Sequence, residues 1–198
     1  MAKLYFRYGA VGSAKTLNLL AVAHNYRQQN KKVLLLMPSL DVRFGAGRIR
    51  SRAGLETEAD ILVSKETQLS DYDFLGVDCL LVDEVQFLSA NVVDQLRAIT
   101  LEKDIPVICY GLRTDFRTRL FEGSSRLMEL ADSIEEIKTT CTYCNRKGTA
   151  NLKHKDGVPS IDGPSVELGC EEKYFPVCFH CYYSQLAEAK NSAFAESL

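Results

Sequence analysis

Short apolar runs alternate along the chain with longer stretches in which apolar residues return every three or four positions. That alternation predicts strands and helices in turn. Leu4–Tyr8 reads as a first strand. Residues 15–30 follow as a helix, with Leu17, Leu20, Ala21 and Ala23 facing a sheet and the polar Gln28, Gln29 and Asn30 as its stop. Val33, Leu34, Leu35, Leu36 and Met37 are continuously apolar, as in a parallel strand buried on both faces, and Pro38 closes the run. Ile61, Leu62 and Val63 make a short strand, and Cys79, Leu80, Leu81 and Val82 another. Residues 89–103 carry Val92, Val93, Leu96 and Ile99 at helical spacing; residues 106–112 and 133–138 read as the remaining strands. Residues 39–54 are polar, with Asp41, Arg43, Arg48, Arg50 and Arg52, and read as a loop. Strands alternating with helices predict an α/β fold around a mostly parallel sheet. Ligands of such sheets bind beyond the carboxyl ends of the strands, so the segments after Tyr8, Val82 and Leu112 should open on one crevice.

The first of these segments carries the most chemistry. Gly9, Ala10, Val11, Gly12, Ser13, Ala14, Lys15 and Thr16 join a strand to a helix, the layout of a phosphate-binding P-loop. Backbone N–H groups would curl around phosphate oxygens, helped by the positive end of the helix dipole. Lys15 would reach the outer phosphates, and the Thr16 hydroxyl would sit on Mg²⁺. The usual pattern has glycine before the lysine. Ala14 stands there, and its Cβ narrows the room for phosphate unless its φ is negative. A plain glycine-rich turn is the simpler account of the loop taken alone.

Asp83 and Glu84 end the apolar run of residues 79–82. An aspartate there would hold Mg²⁺, directly or through water, and Glu84 is a candidate general base. Adjacent residues of an extended segment point opposite ways, so the two would serve metal and nucleophile separately. Solvated acids at a strand end are the simpler account of the pair alone.

Composition narrows the setting. With 198 residues, 46% apolar and a formal net charge of −2, the chain suits one medium domain with a small appendage. No charge excess suggests a nucleic-acid partner or an anionic membrane. No stretch approaches the roughly 20 apolar residues of a membrane span, and residues 1–4 run into a strand without a signal peptide, so a cytoplasmic location is expected.

The seven cysteines then favour metal over disulfides. Cys79 and Cys109 lie in apolar runs and read as core. Cys141 with Cys144, and Cys178 with Cys181, form two pairs with two residues between the members. Four thiolates suit a tetrahedral structural Zn²⁺ at about 2.3 Å per bond; a redox dithiol is the competitor, and His180 either replaces Cys181 as a ligand or, as expected, lies beside the site. The metal would staple the base of a long loop, 145–177, whose turn residues from His154 to Pro159 and from Asp162 to Pro164 suggest a mobile lid. The expected organisation is a P-loop NTPase domain of RecA-like α/β type over 1–139, a zinc-binding lasso over 140–190 and a flexible tail over 191–198.

The order of these elements resembles type II thymidine kinases, the zinc-containing cytosolic family, and its bacterial branch most. The resemblance spans essentially the whole chain and is most specific at residues 41–47, 83–87, 109–116 and 169–174. It implies transfer of the γ-phosphoryl group of ATP to the 5′-hydroxyl of thymidine, giving dTMP in nucleotide salvage for DNA synthesis. By this resemblance Lys15, Thr16 and the loop hold phosphates and Mg²⁺, Asp83 supports the metal, Val85 and Gln86 flank the nucleotide, and Glu84 is the base for the 5′-hydroxyl. Arg43 lies near the transferred phosphate. Leu112, Phe116 and Phe121 wall the thymine pocket, Tyr174 contacts the nucleoside, and main-chain groups around Val166, Glu167, Leu168, Gly169 and Cys170 hold the base. The resemblance also implies a homotetramer inhibited by dTTP. The chain departs from the family pattern at Ala14, at Val11 where methionine is usual, and at Cys170 where glycine is usual.

Two other functions fit the same residues. One is a P-loop ATPase or regulator whose zinc lasso grips a partner; the other is a folded homologue catalytically weakened by Ala14.

Overall fold

The computed structural model describes residues 1–41, 45–165 and 173–195. In chain order, β1 (Leu4–Tyr8) leads to α1 (Lys15–Gln28), β2 (Val33–Pro38), β3 (Arg48–Arg50), β4 (Glu56–Glu58), β5 (Ile61–Val63), β6 (Cys79–Val82), α2 (Ala90–Glu102), β7 (Val107–Gly111), α3 (Glu122–Leu130) and β8 (Ser133–Glu136). Strands β5, β2, β6, β7, β1 and β8 lie side by side in that order, and every neighbouring pair is parallel. The carboxyl ends of β1, β6 and β7 therefore finish on the same edge, as the alternation of strands and helices predicted.

Strand side chains alternate between two cores. Leu80 and Val82 pack with Val92, Val93, Leu96 and Ile99 of α2 and Leu127 of α3. Cys79 and Leu81 pack on the other face with Leu19 and Ala23 of α1. Continuous apolar runs are what such doubly covered strands require, and Cys79 and Cys109 are core residues as expected. The buried stripe of α1 differs in part from the expected one: Ala23 is buried as expected and Leu19 joins it, while Ala21 is exposed, because positions four apart share a face and position 21 lies on the opposite side. The helix ends at Gln28 with Gln29 as its cap, and Asn30 just beyond takes a left-handed φ of 57°, a conformation asparagine tolerates. At the start of α2, the Ser89 hydroxyl accepts a hydrogen bond from the Val92 N–H at 3.4 Å, a side-chain cap.

Three segments differ from expectation. The polar stretch 39–54 holds β3, which pairs antiparallel with β4. Cross-strand charge supports this hairpin, with Arg48 and Arg50 at 3.9 and 4.0 Å from Glu56, while Ile49 alone plugs into the α1 core. Helix α3 has no counterpart in the expected elements. The third segment is the expected loop 145–177, whose described part is largely strand. Here β9 (Thr139–Thr140) pairs with β10 (Lys147–Gly148), and β11 (Ala150–Lys155) lies between β12 (Val158–Ser160) and β13 (Tyr174–Val177). Asp156 and Gly157, both at positive φ, close the β11–β12 hairpin in two residues. An Asp-Gly pair serves that turn because its twist matches the strands. α4 (Phe179–Ala195) ends the described chain. This carboxyl-terminal part has an apolar cluster of its own, built from Cys141, Ala150, Leu152, Val177, Cys178 and Tyr182.

Candidate active site and metal centre

The P-loop candidate turns tightly between β1 and α1. A Cβ on Gly9 would lie 2.3 Å from Ser13 Oγ and 2.5 Å from the Ile137 carbonyl oxygen, so only glycine fits. Gly12 has φ +71°. Ala14 also sits in the left-handed region, at φ 63° and ψ 28°; the negative φ that would ease its Cβ is not adopted. A non-glycine residue held there costs about 1–2 kcal/mol. Buried Lys15 donates from Nζ to the carbonyl oxygens of Ala10 at 2.9 Å and Gly9 at 3.3 Å, and to Ser13 Oγ at 3.4 Å. Its charge is thereby held inside the loop.

Thr16 leads from the loop to the acidic pair. Its hydroxyl donates to Asp83 Oδ2 at 3.0 Å, so two hard oxygens meet at the mouth of the loop. That donor set fits Mg²⁺. The pair itself is not extended: Glu84 has φ 48° and ψ 38°, a second left-handed residue facing the site. The divergence expected from strand alternation is replaced by a local kink. Gln86 donates from Nε2 to Glu84 Oε2, and its Oε1 accepts from the Leu112 N–H at 3.0 Å. One amide thus orients the glutamate and pins the segment after β7.

A cavity of about 420 Å³ joins these groups, within the usual range of about 300–1,000 Å³ for small-molecule sites. Val11, Gly12, Ser13, Ala14, Lys15, Thr16, Asp83, Glu84 and Gln86 line it together with Leu112, Phe116, Phe121 and Tyr174. Phe116 and Tyr174 stand 6.1 Å apart between ring centroids. Of the expected site residues, Gly9, Ala10 and Val85 do not line the cavity; Val85 is fully buried beneath it. Arg43, Val166, Glu167, Leu168, Gly169 and Cys170 lie outside the described residues. Asp41, Arg48, Arg50, Arg52, Asp115 and Asn151 also line the cavity. Arg50 owes its place to strand pairing and Asn151 to tertiary hydrogen bonds, which carry no local sequence signal.

The four cysteines of the two pairs converge. Their sulfurs lie within 4.8 Å of one another, and Cys144 Sγ is 3.7 Å from Cys178 Sγ. A tetrahedron with Zn–S bonds of about 2.3 Å has sulfurs about 3.8 Å apart, so the residues fit zinc. Their acidities point the same way. Burial pushes Cys141 up, but backbone groups at Cys178 and Tyr143 and its contacts with Cys144 bring it down to about 6. Burial and the three neighbouring sulfurs push Cys181 up to about 12. Crowded thiols cannot all ionise without a cation, and a divalent metal relieves that conflict.

With this geometry in hand, a family model for thymidine kinase matches residues 2–182. The chain belongs to the thymidine kinase family. A relative described as thymidine kinase in Enterococcus faecalis is 45% identical over 187 residues, covering 92% of this chain and 95% of the relative. Thymidine kinases of Lactococcus lactis and Lactiplantibacillus plantarum are 43% and 45% identical, with 98% and 96% of their own lengths covered. Among solved structures, the Pif1 helicase of Candida albicans overlaps 69% of this chain and 36% of its own at 12% identity and a TM-score of 0.41, too slight a likeness to bear on function. The family resemblance carried by residues 41–47, 83–87 and 109–116 is thus matched over nearly the whole chain. No helix among the described residues is long and apolar enough to cross a membrane.

Proposed function

We propose that this thymidine kinase family member transfers the γ-phosphoryl group of ATP to the 5′-hydroxyl of thymidine, giving dTMP. The observation that carries this reading is the shared cavity, which the Lys15 loop and the Asp83–Glu84 pair line together with the aromatic side chains of Phe116 and Tyr174. Phosphoryl transfer needs mainly alignment and charge stabilisation. The loop N–H groups and Lys15 bind the phosphates. Thr16 and Asp83 would hold Mg²⁺, which would supply positive charge to offset that of the phosphates. Glu84, oriented by Gln86, accepts the proton of the 5′-hydroxyl as that oxygen attacks phosphorus and the bond to the ADP oxygen breaks. Arg43 adds positive charge near the transferred group. Leu112, Phe116 and Phe121 receive the thymine ring, Tyr174 closes on the nucleoside, and the main chain of residues 166–170 reads the pyrimidine edge. The cysteine site takes Zn²⁺ in a structural role, because all four tetrahedral positions are filled by protein.

The family resemblance extends the proposal to a cytoplasmic homotetramer inhibited by dTTP, with no nucleic-acid partner. The deciding experiment is dTMP production from thymidine, ATP and Mg²⁺ by the purified protein. ATP hydrolysis that ignores thymidine would instead favour an ATPase or regulator, and thymidine binding without turnover a weakened homologue.

A further inference from the structure

Asn151 is an interior residue of β11, 4% exposed, and both ends of its amide are used across large sequence gaps. Its Oδ1 accepts from the Val11 N–H of the P-loop at 2.9 Å. Its Nδ2 donates to the Thr114 carbonyl, in the segment after β7 that carries Leu112 and Phe116, also at 2.9 Å. The flanking Ala150 and Leu152 belong to the apolar cluster around Cys141 and Cys178. Strand alternation turns Asn151 the other way, together with Lys153, whose ammonium lies 4.8 Å from the centre of the Phe116 ring. One strand therefore has a face on the metal centre and a face on the cavity. A buried amide saturated on both sides is a rigid spacer, since breaking either bond strands a backbone group.

We propose that Asn151 is a positioning residue that fixes the phosphate loop against the nucleoside wall and so sets the gap across which the phosphoryl group moves. The inference rests on the kinase reading, since only a reaction between two bound partners depends on that gap. The Val11 N–H is committed to Asn151, so it serves loop placement instead of phosphate binding. In-line transfer asks for reacting atoms about 3–3.5 Å apart, and an error of about 1 Å costs about a hundredfold in rate. Through β11 the cysteine-pinned module holds one side of the cavity in register with the other.

The test compares wild type with Asn151→Ala by amide hydrogen exchange and by kinetics. Exchange at Val11 should rise about tenfold or more, because its acceptor is gone. Turnover should fall about 10- to 100-fold, while the dissociation constants of ATP and thymidine, each measured alone, stay within about threefold and zinc content is unchanged. Unchanged exchange at Val11, or turnover within about twofold of wild type, would overturn the proposal. So would ligand affinities that fall in step with turnover, which would make Asn151 a contact residue. If Asn151→Ala does not fold, Asn151→Asp carries the test. It keeps an acceptor for Val11 and loses the donor to Thr114, so Val11 should stay protected while turnover drops about fivefold or more. Full turnover, or lost protection at Val11, in that variant would likewise sink the idea. Should the wild-type protein fail to phosphorylate thymidine, the kinase reading falls, while the exchange rate at Val11 still decides whether Asn151 holds the loop.

Discussion

Thr16 and Asp83 are joined by a hydrogen bond of 3.0 Å although their elements are not neighbours in the sheet. Thr16 follows β1 and Asp83 follows β6, and β7 runs between those strands. Two strand spacings, about 9.6 Å, are bridged because β7 ends in Gly111. A Cβ there would lie 2.5 Å from Gln86 Oε1 and 2.8 Å from Val85 Cγ1. The bare backbone of Gly111 lets the acidic segment fold over the end of β7 and reach the phosphate loop. The topology of the sheet and one missing side chain together bring Thr16 and Asp83 into contact.

Asp83→Asn tests that bridge. The amide keeps nearly the same shape but loses the charge proposed to hold Mg²⁺. Turnover should fall about a hundredfold or more, and the Mg²⁺ concentration for half-maximal rate should rise, with thymidine affinity little changed. Wild-type Mg²⁺ dependence in the variant would remove Asp83 from the metal site.

Glu84→Gln removes the proposed base and leaves the left-handed backbone in place. A general base contributes about 10²–10⁴ in rate, so kcat should fall by that order while melting temperature and zinc content hold. Turnover close to wild type would exclude Glu84 from proton transfer. Loss of folding would instead point to the hydrogen bond from Gln86 as its main task.

Particular residues show how far the sequence alone reaches. The loop from Gly9 to Thr16 and the run from Val33 to Met37 were legible because their signals are local: glycines before a helix, and apolar continuity. The β3–β4 hairpin was not, because Ile49 is its one deeply buried apolar residue and the pairing rests on Arg and Glu from two strands. Helix α3 was hidden by the poor helix formers Gly123, Ser124 and Ser125. Close packing decides there: a Cβ on Gly123 would sit 2.3 Å from the Val85 carbonyl oxygen. Asn151 is the clearest omission. Its partners lie 140 and 37 residues away, and no local pattern encodes them. The left-handed Ala14 and Glu84 were equally hidden, since neither residue type announces positive φ.

Ala14→Gly should stabilise the protein. Relief of the left-handed strain is partly offset by the greater freedom of glycine in the unfolded chain, leaving a net gain of about 0.5–1 kcal/mol. For a chain of this size that raises the melting temperature by about 1–4 °C. The KM for ATP should stay level or fall, as the loop loses a Cβ beside the phosphates. A lower melting temperature would mean that the alanine methyl makes compensating contacts in the loop.

The metal centre should act on the nucleoside end of the cavity through Tyr182. Tyr182 packs in the cluster with Cys141 and Cys178 and donates its hydroxyl to the Phe116 carbonyl at 2.7 Å. Phe116 in turn forms the wall facing Tyr174. Cys141→Ser should release zinc and raise the KM for thymidine more than that for ATP, because Tyr182 links the cysteine cluster directly to Phe116, whereas the phosphate loop is also held by β1 and α1. That variant also loosens the whole module, so Tyr182→Phe isolates the link. It keeps the ring and the metal but strands a buried carbonyl, at a cost of about 1–3 kcal/mol. If half of that cost falls on the nucleoside-bound state, the KM for thymidine rises about two- to thirteenfold. Zinc stoichiometry and the KM for ATP should stay at wild-type values. An unchanged thymidine KM in Tyr182→Phe, with zinc retained, would show that the cysteine centre supports folding without shaping the nucleoside pocket.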